Sequence, residues 1–277
     1  MNLYQQLLSR HQPLCRDTRS AVGCAPNGTG TIELQVGPTY QSIEIITNNI
    51  PKTKVKFRLE LNGEPIVVVS GSDLVMRQNY KGNHVEDGRY IIDFACPNYR
   101  TKNGIRSGEL VTLDTDILTL YIELADVVDG WSIRGRAWIT AAQPARYFVP
   151  KIFSLNYDAM ASGDNDYIWP NRSQTRFIRR LHFKASNIEK LTMYRDDTKR
   201  HEVRAADNNF DLTLHGLAPQ SGYFHFDPGQ LGFGLDGLLP TAAAKELKFV
   251  LNKAAPGTVP VLVEMLEQVA QIPTAAA

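Results

Sequence analysis

The 277-residue chain is 43% apolar and 21% charged, a globular composition that excludes a disordered chain, and its length accommodates two domains of ordinary size. Lys and Arg number 30 against 29 Asp and Glu, a formal charge of +1 with no basic block to track a phosphate backbone, so no specific nucleic-acid partner is expected. No stretch approaches the ~20 apolar residues that span a bilayer, no basic-then-apolar leader opens the chain, and three cysteines (Cys15, Cys24, Cys96) cannot close a disulfide framework and read as reduced thiols.

Residues 1–25 read as an N-terminal arm. Leu3, Tyr4, Leu7 and Leu8 share one face of a short helix that Pro13 stops. Such a face packs under its own domain, or docks on a neighbour or a membrane surface. Residues 26–142 are β in pattern. Thr31–Val36 alternates strictly before Gly37-Pro38; Ile43 and Ile45, then Val55, Phe57, Leu59 and Leu61, keep the period of two. Asn62-Gly63 between apolar runs supplies the φ > 0 residues of a type I′ hairpin. Ser72–Tyr80 reads as one short helix capped by Ser72 or Asp73. Strands at Tyr90–Phe94, Leu118–Ile122 and Trp131–Ile139 complete a set of short strands that suits a sandwich.

Residues 143–174 break the rhythm with Pro144, Pro150, Pro170 and a run of aromatics, and read as an ordered connector. From 175 to 270 the β pattern resumes at Ile178, Leu181 and Phe183, then Leu191 and Met193, then Phe210, Leu212 and Leu214. Phe224 with Phe226, Leu247 to Leu251 and Val259 to Val263 follow; 271–277 is a frayed tail.

The second β region repeats the first. Val55 and Phe57 match Leu191 and Met193 at an offset of 136; Gly82, Gly88, Ile92 and Asp93 match Gly216, Gly222, Phe226 and Asp227 at 134; Leu118, Leu120 and Ile122 match Leu247, Phe249 and Leu251 at 129. Asn49-Ile50 has its counterpart in Asn187-Ile188 at 138. An offset falling in small steps is the mark of one β unit duplicated with trimmed loops.

No motif for chemistry survives inspection. His225-Phe226-Asp227 has the H-x-D form of a facial-triad iron site, but no His follows position 225 to complete it, and no H-x-H occurs. The six histidines stand singly, and most read as ordinary strand or loop residues. Gly229, Gly232, Gly234 and Gly237 lie between β runs without the helix or Lys-Ser/Thr of a phosphate cradle. Asp114-Thr115-Asp116 and Asp164-Asn165-Asp166 cluster oxygens but lack calcium-loop spacing. No catalytic, cofactor-binding or metal-ligating residue is therefore assigned, and the chain reads as not an enzyme.

The sequence resembles the double jelly-roll major capsid proteins of icosahedral, membrane-containing bacteriophages, the corticovirus type in particular. The resemblance is carried by Thr39–Ile43 leading into Val55–Gly63, by Ile178–Lys184, by Ile188–Tyr194 and by Lys245–Leu251. It implies an all-β fold of two tandem eight-stranded jelly-roll sandwiches, residues 26–142 and 175–270, with a short N-terminal helix. It implies a structural subunit forming homotrimers that are pseudo-hexagonal, tile against neighbouring capsomers and meet vertex or minor capsid proteins. Assembly would occur in the host cytoplasm, and the virion capsid would enclose an internal membrane. The arm, through Leu3, Tyr4, Leu7 and Leu8, would touch that membrane or an adjacent capsomer. No cofactor is required by the resemblance; structural calcium occurs in some relatives and maps to no residues here. The alternative is a tandem β-sandwich carbohydrate-binding protein with Trp131, Trp138 and Trp169 as candidate stacking platforms, although the strand positions of Trp131 and Trp138 suit core or interface.

Overall fold

The computed structural model describes residues 13–48, 50–126 and 131–272. The helix expected over Leu3, Tyr4, Leu7 and Leu8 lies outside the described residues. The first sandwich holds β1 (Leu14–Asp17), β2 (Thr29–Leu34), β3 (Thr39–Asn48), β4 (Val55–Leu61), β5 (Glu64–Ser70), β6 (Arg89–Asp93), β7 (Leu110–Val111), β8 (Leu118–Leu124) and β9 (Ser132–Thr140). Helix α1 (Gly71–Tyr80) joins β5 to β6, and a short α2 (Lys102–Arg106) precedes β7. The second holds β10 (Phe148–Ala159), β11 (Gly163–Ile168), β12 (Arg176–Phe183), β13 (Ile188–Arg195), β14 (Thr198–Arg204), β15 (Phe224–Phe226), β16 (Leu239–Pro240), β17 (Leu247–Lys253) and β18 (Gly257–Gln268). Helix α3 (Ala205–Leu214) joins β14 to β15, and a 3₁₀ turn at Gly234–Gly237 precedes β16.

The two sandwiches have one topology. In the first, β1-β9-β3-β6 faces β2-β8-β4-β5; in the second, β10-β18-β12-β15 faces β11-β17-β13-β14. Adding nine to each strand number of the first generates the second, down to the short β7 on β3 and β16 on β12. This is the jelly-roll arrangement of two four-stranded antiparallel sheets. Each encloses its own apolar cluster, around Phe57, Leu59 and Ile122 in one and Phe183, Phe249 and Val261 in the other. The facing strands alternate cleanly, as Val55, Phe57, Leu59 and Leu61 do in β4, because one face is buried and the other half-exposed. One parallel bridge, Ile152 to Val67, joins β10 to β5 edge to edge.

Repetition extends to the backbone. Asn62 and Gly63 take φ of 54° and 82° at the expected hairpin, and Asp196 and Asp197 take 50° and 64° at the matching place between β13 and β14. Gly82 and Gly216 end the two longer helices at φ of 69° and 78°.

Four expectations are corrected. Leu14–Asp17, read as arm, pairs with β9 from Leu14–Ile139 to Asp17–Arg136, so the first jelly roll begins before residue 26. The connector at 143–174 supplies β10 and β11, the opening strands of the second jelly roll. The prolines and half-buried aromatics masked their alternation, and the partners that define them lie about a hundred residues away on β18 and β17. Phe210, Leu212 and Leu214 belong to a helix, not a strand: Asn208 and Leu212 bury one face while Phe210 and Leu214, four apart, stay exposed on another. The cap of α1 is Ser70, whose Oγ accepts from Asp73 N–H while Asp73 accepts from Ser70 N–H, a reciprocal capping box two residues before the expected start.

Candidate functional site: the junction between the two sandwiches

In β18 the odd positions Val259, Val261, Val263 and Met265 enter the second core, while Leu262 enters the first. From Val261 to Leu266 strand β18 is thus buried on both faces, and Glu264, on the face opposite Val263, is 2% exposed. A bulge between Ile178 and Arg180 in β12 lets Ile178 and Leu181 both enter the second core, which turns Arg180 and His182 to the opposite side, and β15 adds His225 between inward Phe224 and Phe226. The first sandwich covers this surface with α1, which brings Arg77 and Tyr80, and with Asp93 at the end of β6.

The contact is a buried ionic network. Arg77 donates to both oxygens of Glu264, Nε to Oε1 at 2.8 Å and Nη2 to Oε2 at 3.1 Å, and its Nη1 lies 3.0 Å from Asp93 Oδ1. Lys81 donates to the other Asp93 oxygen at 2.5 Å. Arg180 donates to Asp227 Oδ2 at 2.5 Å and reaches Glu264 Oε2 at 3.4 Å, and Tyr80 donates to the same Asp227 oxygen at 3.1 Å. Burial pushes the Glu264 carboxyl up, but Arg77, Lys81, Arg180 and the His182 bond outweigh it and hold the group well below the usual carboxylate range. Lys81 and Arg77 likewise overcome burial at Asp93 and keep it low. Burial and the Asp227 charge keep the Tyr80 phenol protonated far above its ordinary value.

The histidines form a relay. Gln220 N–H donates to His225 Nε2 at 3.0 Å, so the proton of His225 sits on Nδ1 and is given to His182 Nδ1 at 2.7 Å. His182 then carries its proton on Nε2 and donates it to Glu264 Oε1 at 3.2 Å. Every bond in this chain requires both rings neutral. Burial first, then the nearby positive charges, lowers His182, and drives His225 down to about 2. Tyr80 packs on both rings, 4.4 Å from His225 and 5.1 Å from His182 between centroids. Both histidines are fully buried, so this cluster is closed to a substrate and acts as a lock between sandwiches.

Sequence reading treated these histidines as isolated. His225 and Asp227 do enter one cluster, with His182 arriving from β12 and Glu264 from β18, but as a buried hydrogen-bond and ion-pair network and not as the metal triad the H-x-D form suggested. The only early signal was the match of Asp93 to Asp227, both of which enter the network. Of the two acidic triplets, the first braces the loop before β8, and the second lies within β11 and bonds across to β17. Asp116 accepts from Arg146 and Asn62, and these bonds with Leu113 N–H overcome burial and lower its carboxyl; Asp164 accepts from Asn252, and Asp166 pairs with Lys248. Among the described residues no group of three or more His, Cys, Asp or Glu is placed to hold a metal ion. The tryptophans share no platform: Trp169 is inside the second core, Trp131 packs against the first, and Trp138 lies on the outer face of β9. Leu3, Tyr4, Leu7 and Leu8 lie outside the described residues.

Two eight-stranded jelly rolls of one topology, locked side by side in a single chain, define the double jelly-roll class of viral capsid subunits. The chain belongs to the viral coat protein P2 family: the model of the P2 N-terminal domain matches residues 16–140 and that of the C-terminal domain residues 149–269. The fold is that of the major capsid protein P2 from bacteriophage PM2, with TM-score 0.85 at 16% identity over 95% of this chain and 100% of that one. It is shared by Sulfolobus turreted icosahedral virus, with TM-score 0.67 at 12% identity over 93% and 91%. The PBCV-1 virus capsid gives 0.59 at 9% identity over 96% and 97%. No curated protein sequence matches the chain. Its role is that of a capsid protein, a structural component of a virion.

Proposed function

We propose that the chain is the major capsid subunit of a bacteriophage and assembles as a homotrimer whose six similar sandwiches make a pseudo-hexagonal block. Such blocks tile an icosahedral shell over an internal membrane, after assembly in the host cytoplasm, with other capsid proteins at the vertices. The arm bearing Leu3, Tyr4, Leu7 and Leu8 would meet the membrane or an adjacent capsomer, and no cofactor is required. The observation that carries this reading is the repeated topology, since three chains with two equivalent sandwiches each supply the six similar sides a hexagonal lattice needs. Light scattering behind a sizing column tests it. A compact species near three times 31.0 kDa supports the trimer, and a monomer at every concentration and calcium level overturns it.

A further inference from the structure

The junction inside the chain has an unfilled twin. Aligning the bulges of β3 and β12 places Ser42 and Glu44 where Arg180 and His182 stand. The strand partners then place Ile91 at His225, Asp93 at Asp227 and Trp138 at Glu264. In the second sandwich this surface is covered by α1, and Tyr80 fills the socket over His182 and His225, its carbonyl accepting from Ala218 N–H. In the first sandwich no described residue covers the equivalent surface. A cavity of about 270 Å³ lies there, lined by Glu44, Ile91, Arg136 and Trp138, with His84 from the loop that corresponds to Ala218. Trp138 is 40% exposed.

The plug that matches this socket is also unused. At the offset of 134, α3 corresponds to α1: Leu214 takes the place of Tyr80, Phe210 of Met76 and Asp211 of Arg77. Tyr80 and Met76 are buried, whereas Leu214 and Phe210 are each 68% exposed, an apolar pair on one helical face with nothing over it among the described residues. Arg77 meets a carboxylate in the internal junction, whereas Asp211 would approach Arg136 and Arg89, which already pair with Glu44 and, for Arg89, with Glu86, so the apolar pair and the repeat, not a charge surplus, carry the match.

We infer that α3 of one copy docks on the outer β6-β3-β9 surface of the next copy, placing Leu214 and Phe210 in the open socket and Asp211 beside Arg136. The contact is heterologous, plug to socket, and repeats between chains the geometry that α1 makes within one. It rests on the trimer reading above: alternating internal and external copies of one junction close a ring of six sandwiches after three chains.

Two measurements test it. Phe210→Asp with Leu214→Asp is expected to keep the far-UV circular dichroism of the wild type, because both side chains are exposed, and to lower the solution mass from trimer to monomer, a threefold loss. A cysteine pair reads direction. In a Cys15→Ser, Cys24→Ser background, chains with Leu214→Cys mixed with chains with Ile91→Cys are expected to oxidise to a heterodimer, while neither links to itself. One chain carrying both changes should link into a covalent trimer. A wild-type trimer that survives the double Asp substitution, or that yields no mixed disulfide, overturns the docking while leaving the trimer standing. Self-linking of the Leu214→Cys chain would show an isologous contact and also overturn it. A wild-type monomer at all conditions overturns both.

Discussion

Replacing Glu264 by Gln removes the one carboxylate that faces Arg77, Arg180 and His182 together. Glu264 accepts at 2.8 and 3.1 Å from Arg77, 3.4 Å from Arg180 and 3.2 Å from His182. The amide keeps one acceptor oxygen and turns an NH₂ donor toward a guanidinium that can only donate. The buried cations Arg77, Arg180 and Lys81 are then opposed by Asp93 and Asp227 alone. Breaking one side of a buried, hydrogen-bonded pair costs about 3–5 kcal/mol. At roughly 2–4 °C per kcal/mol for a chain of this size class, the melting temperature should fall by about 6–20 °C. Scanning calorimetry reads the shift, with circular dichroism to show the sandwiches intact. Arg77→Met combined with Glu264→Leu should recover more than half of the loss, since it removes the desolvation of the pair along with the pair. A Glu264→Gln protein melting within 2 °C of wild type, or a double variant weaker than the single one, would refute this account of the junction.

Three further outcomes follow from the geometry. His225, held near 2, and His182, also lowered, stay neutral in the fold but take protons in the unfolded chain below about 6.5, so stability is full above that value and falls with acidification; by pH 4.5 His225 alone accounts for about 2–3 kcal/mol. The depressed carboxylates of Glu264 and Asp93 keep their contribution until lower pH, so His225→Phe should flatten the denaturation midpoint between pH 6.5 and 4.5, and an unchanged slope would exclude the relay. Asn62→Ala with Gly63→Ala forces alanines into φ of 54° and 82° and cuts the Asn62 bonds to Asp116 and Ile117, which should lower stability by about 2–4 kcal/mol in urea titration; an unshifted midpoint would mean the hairpin tolerates another turn. Deleting residues 1–12 should leave soluble, β-rich protein and impair particle formation as seen by electron microscopy, whereas loss of soluble protein would make the arm part of the fold.

The amino-acid sequence by itself determined the duplication, the all-β class and the hairpin at Asn62-Gly63. These depend on local periodicity, on glycines in left-handed turns and on strands with one buried face, such as β4, β8 and β17, whose alternation is written in adjacent residues. Where both faces are buried the code fails. Strand β18 reads as a plain apolar run broken by Glu264, and nothing near it says that the carboxylate is matched by Arg77, 187 positions away. Strands β1 and β10 have weak patterns of their own and exist because β9 and β18 pair with them. Helix α3 carries a strand-like spacing at Phe210, Leu212 and Leu214, yet the place it occupies in the repeat, after a hairpin and before Gly216, makes it a helix as α1 is. The histidine relay, the ionic lock and the open socket were decided by tertiary structure alone, because each joins side chains from strands and helices far apart in the chain, and burial changes what those side chains can hold.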